Sequence, residues 1–141
     1  MNWTQRASER LDAAGYRSGA ARRQVIELLA KEHCALTALE MDRRLPAGRA
    51  SIYRTLEQLE QLHLIQRIDI GGGEAAGYER LDPGDHHHHL VCERCGLLAP
   101  FADPALERAI DTISHSADFE VASHDVVLRG RCSRCQAPDL N

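Results

Sequence analysis

Two Cys-x-x-Cys pairs constrain this chain of 141 residues more than any other feature. The first pair is Cys92 and Cys95, and the second is Cys132 and Cys135. Each pair can direct both sulfurs at one ion, and four thiolates make a closed tetrahedral zinc site of the structural kind. Because cytosolic thiols stay reduced, this spacing indicates metal ligation before disulfides, with four metal-free core cysteines as the alternative. Cys34, the fifth cysteine, is interpreted as a buried or idle thiol.

A run of four histidines, His86 to His89, comes shortly before the first cysteine pair. If the run is extended, its side chains alternate, so His86 and His88 point one way while His87 and His89 point the other. One tetrapeptide could therefore supply two ligands to each of two metal sites. The alternative interpretation is a solvated loop.

Each of these sites needs further ligands from elsewhere in the chain. Within the C-terminal part, Glu107 on a predicted helix and His124 on a predicted strand are available. Asp69 and Glu79 lie on a predicted hairpin of the N-terminal part, so a metal that they hold would bridge two domains. A bridging ion favours the domain orientation that presents all its ligands, so it can transmit metal occupancy. Either carboxylate taken singly could equally be an ordinary exposed side chain.

Helical patterns and a glycine turn organise the first 81 residues. The apolar spacing predicts a weak helix from Trp3 to Ala14 that Gly15 closes, a stronger helix over 20–31 and another over 49–62. Between them, Thr37 and Glu40 have the spacing of a capping box and predict a helix over 37–45. An alternating segment over 64–70, a turn at 71–73 and a return over 77–81 predict a β-hairpin. This order is typical of a winged helix-turn-helix, in which the helix over 49–62 would enter the major groove of DNA.

The predicted fold class is α+β with two domains. Residues 1–81 form the winged helix-turn-helix domain, residues 82–85 form a hinge that contains Pro83 and Gly84, and residues 86–141 form a small α/β domain with the four-cysteine zinc site. In the second domain, Asp103 and Pro104 open a helix that runs to about Ser116. The segment over 119–128 has a strand-like pattern.

Charge places any DNA contact in the first half of the chain. The net charge is −4, but residues 1–80 carry +1 and residues 81–141 carry −5. With so small an excess, DNA binding would depend on where individual arginines lie. Tyr53 and Arg54 are the best candidates to contact bases or phosphates, and a solvated basic face is the alternative. The supporting candidates on the same helix and upstream of it are Arg49, Ser51, Thr55, Arg17, Arg22 and Arg23.

Several classes of protein lack support in the sequence. No apolar stretch approaches a membrane span, so we expect a soluble cytoplasmic protein without a membrane partner. The chain has neither the His-Glu-x-x-His motif of zinc hydrolases nor the deaminase signature, so we expect no catalytic residue and no small organic substrate. A zinc-stapled protein-interaction module without DNA binding is a further alternative.

With these features in this order, the sequence resembles the ferric uptake regulator (Fur) family of metal-dependent repressors, from about Ala14 to Cys135. The resemblance implies a homodimer formed through residues 86–141, structural zinc on the four paired cysteines, and binding to a double-stranded, pseudo-palindromic operator when a regulatory metal is present. Its most specific motifs are Ser51-Ile-Tyr-Arg-Thr-Leu56, His86-His-His-His-Leu-Val-Cys92-Glu-Arg-Cys95-Gly96 and Cys132-Ser-Arg-Cys135.

The resemblance also implies a ligand set for two further metal sites. The hinge regulatory site corresponds to Glu79, His87 and His89, with His33 or Asp69 as a further ligand. The second site corresponds to His86, His88, Glu107 and His124.

The run of four histidines before Leu-Val-Cys is similar to the zinc-uptake (Zur) branch, whereas iron, manganese and peroxide sensors usually have His-His-Asp-His. We therefore expect zinc in the regulatory site and control of zinc-uptake genes, with Fe²⁺ or Mn²⁺ as the alternative. Two departures stand out. Leu81 lies where many members of the Zur branch carry a cysteine ligand, and Gly19 lies where the family commonly has a helix-capping threonine.

Overall fold

The structure is a computed structural model that describes residues 1–70 and 76–136. The chain divides into two compact units, residues 1–85 and 86–141, so the division falls at the end of the predicted hinge. Among the described helices, none is both long enough and apolar enough to cross a membrane. The glycine turn predicted at 71–73 lies outside the described residues.

The first unit combines four helices with a small antiparallel sheet. The helices are α1 (Trp3–Ala13), α2 (Ala20–Lys31), α3 (Ala38–Arg44) and α4 (Arg49–Gln61). The strands are β1 (Leu36–Thr37), β2 (Ile65–Asp69) and β3 (Ala76–Arg80), and they lie in the order β1-β3-β2. The predicted helices are confirmed within one or two residues, whereas the two-residue strand β1 was not predicted.

Local capping chemistry explains where these helices begin and end. Gly15 has φ +84°, in the left-handed region that glycine adopts without strain, and the Tyr16 N–H then donates to the Leu11 carbonyl (3.1 Å) to close α1. At the start of α3, the Glu40 N–H donates to Thr37 Oγ1 (3.0 Å), and the Glu40 side chain accepts from the Thr37 N–H. This is the capping box that the sequence indicates.

The core of the first unit determines which face of α4 stays free. Ile52, Leu56 and Leu59 are fully buried, because their spacing places them on one side of the helix. Trp3 extends this core, and its Nε1–H donates to the Leu64 carbonyl at 2.9 Å. Tyr53, on the other side of α4, is left half exposed.

The second unit is a three-stranded sheet with one helix. Its elements are β4 (His88–Cys92), β5 (Leu98–Phe101), α5 (Pro104–Ser116) and β6 (Val127–Gly130). The order is β5-β4-β6, with β4 antiparallel to β5 and parallel to β6. Asp103 caps α5 as predicted, accepting from the Ala105 N–H at 2.7 Å.

One predicted element of the second unit is wrong in extent. The strand expected over 119–128 begins only at Val127, as β6. Phe119 and Val121 alternate as strand residues would, but both side chains are exposed and the segment has no ladder partner among the described strands. An apolar alternation predicts a strand only where a neighbouring strand is free to pair with it.

Candidate metal centres and helix α4

The four paired cysteines converge at one end of the second sheet and form what we call the four-cysteine cluster. Cys92 ends β4, and Cys132 follows β6, the parallel neighbour of β4. All four sulfurs lie within 4.8 Å of one another, and the sulfurs of Cys95 and Cys132 are 3.8 Å apart. Every cysteine of the chain has a free thiol. Four sulfurs around one point, with no open coordination position, fit a tetrahedral structural zinc ion.

Backbone amides favour the thiolate form that a metal requires. The N–H groups of Cys132 and Cys95 both point at Cys92 Sγ, at 3.4 and 3.5 Å. These hydrogen bonds, with that from Cys132 the larger contribution, lower the pKa of Cys92 to about 5. A hydrogen bond to the charged form of a group stabilises that form. The peptide geometry therefore favours a thiolate at Cys92, whereas hydrogen bonding with the Cys132 sulfur raises the pKa of Cys135.

The side chains of His86 and His88, which point to the same side of the histidine run, meet Glu107 from α5 and His124. The Glu107 carboxylate lies 2.7 Å from His88 Nε2 and 2.7 Å from His124 Nε2. His86 Nε2 lies 3.1 Å from His124 Nε2. The structure thus brings all four predicted residues of the second site together, with ligand atoms within 4.8 Å of one another.

This second cluster suits a divalent cation of intermediate softness. Three imidazoles and one carboxylate are ligands that Zn²⁺ and Fe²⁺ both accept. The hydrogen bond from His88 is the main reason that the pKa of Glu107 is lowered, so the carboxylate is ionised. The Val126 N–H also donates to His88 Nδ1 (3.2 Å), which leaves Nε2 as the protonated nitrogen. A metal at His88 Nε2 would replace the hydrogen bond between this nitrogen and Glu107.

The side chains of His87 and His89 point to the other side of the histidine run and lie next to each other. Their ring centroids are 4.9 Å apart in an edge-to-face arrangement, and His89 on β4 is only 3% exposed. The alternation predicted for the run is therefore present in the structure. Their assignment to a hinge regulatory site draws on residues of both units and stays a prediction.

In the first unit, Glu79 has neighbours that the sequence did not predict. Glu79 is 5% exposed on β3, and Gln66 Nε2 donates to its carboxylate at 2.5 Å. The Cys34 sulfur lies within 4.8 Å of a Glu79 carboxylate oxygen. Burial raises the pKa of Cys34 to about 11, with the Glu79 charge contributing. Sequence reasoning missed Cys34 because it has no spacing partner, and only the pairing of β1 with β3 brings it here.

The two further ligands predicted for the hinge site, Asp69 and His33, are both exposed, and their assignment stays a prediction. Asp69 on β2 pairs with Ala76, while Gln66 pairs with Glu79. The two pairs are three positions apart along the strands, so the Asp69 side chain lies on the face of the sheet opposite to Glu79, and it is exposed. His33 is not buried either. Both were predicted from chain position, which does not fix the face of the sheet.

The residues predicted to contact DNA differ in how exposed their side chains are. Tyr53, Arg54, Arg17 and Arg23 are exposed, and Ser51 is half-buried. Arg49 is exposed but pairs with Asp42 at 3.0 Å. An open cleft of about 410 Å³ lies between the α1–α2 loop and α4, and it includes Arg17, Arg54, Ser51 and Gln58 in its lining. The N-terminus of α2, where Gly19 makes no side-chain cap, borders the same cleft.

Arg22 and Thr55 are corrections to that list. Arg22 is 6% exposed, and its guanidinium donates to the carbonyls of Ser8 (2.9 Å) and Tyr16 (3.3 Å) and to Asp12 (2.7 Å). Thr55 is 5% exposed, and its hydroxyl donates to the Ser51 carbonyl within α4. Both side chains therefore serve the fold and do not face a ligand.

Comparison with known proteins gives one consistent result. The sequence model described as "Ferric uptake regulator family" matches residues 13–129. A ferric uptake regulation protein of Neisseria meningitidis serogroup A is 36% identical over 116 residues, which cover 80% of this chain and 79% of the relative.

Solved structures agree with this comparison. The ferric uptake regulator of Vibrio cholerae matches with a TM-score of 0.77 and 27% identity, covering 88% of this chain and 98% of that one. The Helicobacter pylori regulator Fur, described as having three functional metal binding sites, matches with a TM-score of 0.84, covering 97% of this chain and 93% of its own. At 23% identity, the second likeness concerns the fold alone.

Proposed function

The chain belongs to the ferric uptake regulator family, and from this premise we propose that it is a homodimeric repressor that binds operator DNA when a regulatory metal is present. Members of the family are metal-responsive transcription regulators and not enzymes. The observation that carries the metal dependence is the convergence of His86, His88, Glu107 and His124 at hydrogen-bonding distances. Packing and secondary structure do not by themselves require three imidazoles and a carboxylate to converge at one point.

We assign the four-cysteine cluster a structural role. It connects the turn after β4 to the end of β6, so zinc there would tie the beginning of the second unit to its last described residues. A closed set of four thiolates leaves no position for exchange with solvent, which suits permanent occupancy. The regulatory function would then belong to the histidine sites.

The identity of the regulatory metal has two candidates. The relatives that match are named ferric uptake regulation proteins, which favours Fe²⁺. Zinc, which we predicted from the similarity to the Zur branch, is not supported by those names. It remains the second candidate because the run offers imidazole in place of a carboxylate, and imidazole and thiolate ligands both suit zinc.

For the DNA contact we propose that α4 is the recognition helix of a winged helix-turn-helix. Its buried side faces the core, and Tyr53 and Arg54 stand on its free side. An exposed arginine can contact guanine by two hydrogen bonds. The adjoining cleft, with Arg17 and the N-terminus of α2, has the charge and the free N–H groups to receive a backbone phosphate.

For the dimer we propose that a second copy covers the apolar surface of the second unit. No side chain of α5 is buried, although Ile110 and Ile113 lie on the same side of the helix. Leu90 and Leu128 on the sheet are also exposed. Exposed apolar patches of this kind mark interaction surfaces.

The proposal is tested by fluorescence anisotropy with promoter DNA at buffered free metal. Protein with its four-cysteine cluster filled should bind DNA tightly with Fe²⁺ under anaerobic conditions, or with Zn²⁺, and weakly after chelation of the regulatory metal. The ion that restores binding at the lower free concentration identifies the physiological candidate. DNA binding that does not respond to any of Fe²⁺, Mn²⁺ and Zn²⁺ would refute the metal switch.

A charge-reversal variant separates the repressor from a protein-interaction module. Arg54→Glu should abolish DNA binding and leave the dimer intact, because Arg54 is exposed on α4 in the other unit from the proposed dimer surface. Arg43→Glu, an exposed change at the end of α3, is the matched control. Unchanged DNA binding by Arg54→Glu would contradict the proposed recognition helix.

A further inference from the structure

The outward side of α4 carries a carboxylate as well as an arginine. The opposite side, which faces the core, is formed by Ile52, Leu56 and Leu59. Because successive residues of a helix are rotated by about 100°, Arg54 and Glu57 lie nearly opposite to the core, and both are exposed. Within the described part of the chain, neither side chain has a hydrogen-bond or ion-pair partner. Two groups of opposite charge are therefore presented together to whatever α4 binds.

A carboxylate on the DNA-facing side of a helix requires a hydrogen-bond donor on the DNA. The cleft beside α4 that includes Arg17, Arg54 and Gln58 suits a backbone phosphate, and Glu57 is not among the described residues that line it. A carboxylate that approaches DNA is repelled by the phosphates and loses hydration, so it lowers affinity unless a donor compensates it. In the major groove, such donors lie on the edges of the bases.

Two amino groups in the major groove can donate to a carboxylate, N4 of cytosine and N6 of adenine. In adenine the N7 acceptor lies beside N6, so it would repel the second carboxylate oxygen. Cytosine presents only a donor on its own major-groove edge. The chemistry of the carboxylate therefore favours cytosine.

We infer that Glu57 is a specificity-determining residue that accepts a hydrogen bond from the N4 amino group of a cytosine in the operator. The inference rests on the proposed function, because it requires α4 to lie in the major groove. Three residues span about 4.5 Å along a helix, and successive base pairs are about 3.4 Å apart, so Arg54 and Glu57 would contact neighbouring base pairs. Arg54 would bind guanine through two hydrogen bonds. The operator should then have this guanine in the base pair next to the one whose cytosine binds Glu57.

Selection from a randomised library of DNA duplexes tests the inference without knowledge of the operator. Metal-loaded dimers of the parent and of each variant select duplexes, which are sequenced to give the base preference at every position. The parent should prefer cytosine at one position of each half-site by about tenfold. Glu57→Gln should transfer that preference to adenine, because an amide accepts from N6 and donates to N7.

Glu60→Gln is the matched control, since it removes the same charge from the same helix. Glu60 is half-buried, and its charge acts on Tyr78 of β3. This variant should keep every base preference of the parent. A loss of the cytosine preference in Glu60→Gln would mean that net charge, and not a contact of Glu57, determines the choice of base.

A second variant tests the spacing of the two contacts. Arg54→Lys keeps the charge but lacks the planar group that makes two hydrogen bonds, so it should weaken the guanine preference at one position. That position should adjoin the one that Glu57→Gln changes. Altered preferences at positions that are not neighbours would contradict the geometry.

The outcomes separate the inference from the proposed function. If Glu57→Gln selects the same sequence with the same preferences as the parent, the inference fails while the proposed function stands. If Glu57→Gln binds no DNA although its urea-unfolding midpoint equals that of the parent, Glu57 determines affinity and the inference again fails. If the parent selects no sequence with any of Fe²⁺, Mn²⁺ and Zn²⁺, both fail. Anisotropy with the selected duplex and its single cytosine-to-adenine variant should reproduce the preference of the parent.

Discussion

Arg22 shows how one charged residue can be structural in a protein whose neighbouring arginines are exposed. Its guanidinium donates to two backbone carbonyls near the end of α1 and the α1–α2 loop, those of Ser8 and Tyr16. Those carbonyls would otherwise need water or another donor. The adjacent Arg23 points to solvent. Two neighbouring arginines thus have different physical roles, which their sequence positions do not reveal.

We predict that Arg22→Met lowers the free energy of unfolding of the first unit by about 1.5–3 kcal/mol, because hydrogen bonds from a charged donor are lost. The ion pair with Asp12 adds little, since Asp12 is exposed. Urea unfolding followed by the fluorescence of Trp3, the single tryptophan, reports this unit. Arg23→Met should change stability by no more than about 0.5 kcal/mol. Equal losses in the two variants would contradict the structural role of Arg22.

The candidate metal-ligating side chains differ in how far the sequence determines their placement. The alternation of His86 to His89 follows from extended backbone, so it was predictable without a structure. The proximity of Cys34 to Glu79 was not predictable, because it depends on the pairing of β1, a strand of only two residues, with β3. Asp69 illustrates the same limit, since the face on which it lies follows from a register that the sequence does not specify.

At the scale of elements, apolar spacing and capping residues predict the helices well, and strands less well. Gly15, Thr37 and Asp103 each act at a helix end through contacts only a few residues long, so a local pattern suffices. The segment over 119–126 has the alternation of a strand but no pairing with the described strands, because strand formation needs a partner elsewhere in the chain. Non-local pairing is the part of this fold that residue patterns leave open.

The C-terminus of α4 carries a local strain that can be relieved. His63 has φ 56°, and its conformation allows the Leu64 N–H to donate to the Leu59 carbonyl at 3.0 Å. Because a side chain in the left-handed region is unfavourable, His63→Gly should raise the unfolding free energy by about 1 kcal/mol, and His63→Val should lower it. Trp3 fluorescence during urea unfolding measures both, since Trp3 bonds to Leu64. A destabilised glycine variant would contradict this account of the cap.

The exposed apolar side of α5 predicts a specific effect on assembly. Ile113 is 66% exposed, so a charge there would be buried if a second copy covers this surface. Ile113→Glu should convert the dimer to monomers in sedimentation velocity. The control is His115→Glu, two residues along the helix and therefore on the opposite side. Dissociation by the control variant, or a dimer with Ile113→Glu, would contradict the assignment of this surface.

At the scale of the whole molecule, the two parts of the chain differ in net charge. The net charge of −4 would by itself oppose association with a polyanion. The first 80 residues carry +1, and Arg17, Arg23 and Arg54 are exposed there. The −5 of the remainder includes Glu107, which faces three imidazoles. DNA affinity should therefore depend on a few placed arginines and not on bulk charge.

Stepwise metal removal should distinguish the two kinds of site across the molecule. A mild chelator should remove ions from the histidine sites, where imidazole and carboxylate ligands exchange with solvent, and leave about one zinc per chain on the four cysteines. The dimer should persist while metal-dependent DNA binding is lost, as elemental analysis, sedimentation and anisotropy would show. Cys135→Ser should instead lower zinc content and unfold the second unit, because the ion connects its two ends. A Cys135→Ser protein with the parent's zinc content and dimer mass would refute the structural assignment.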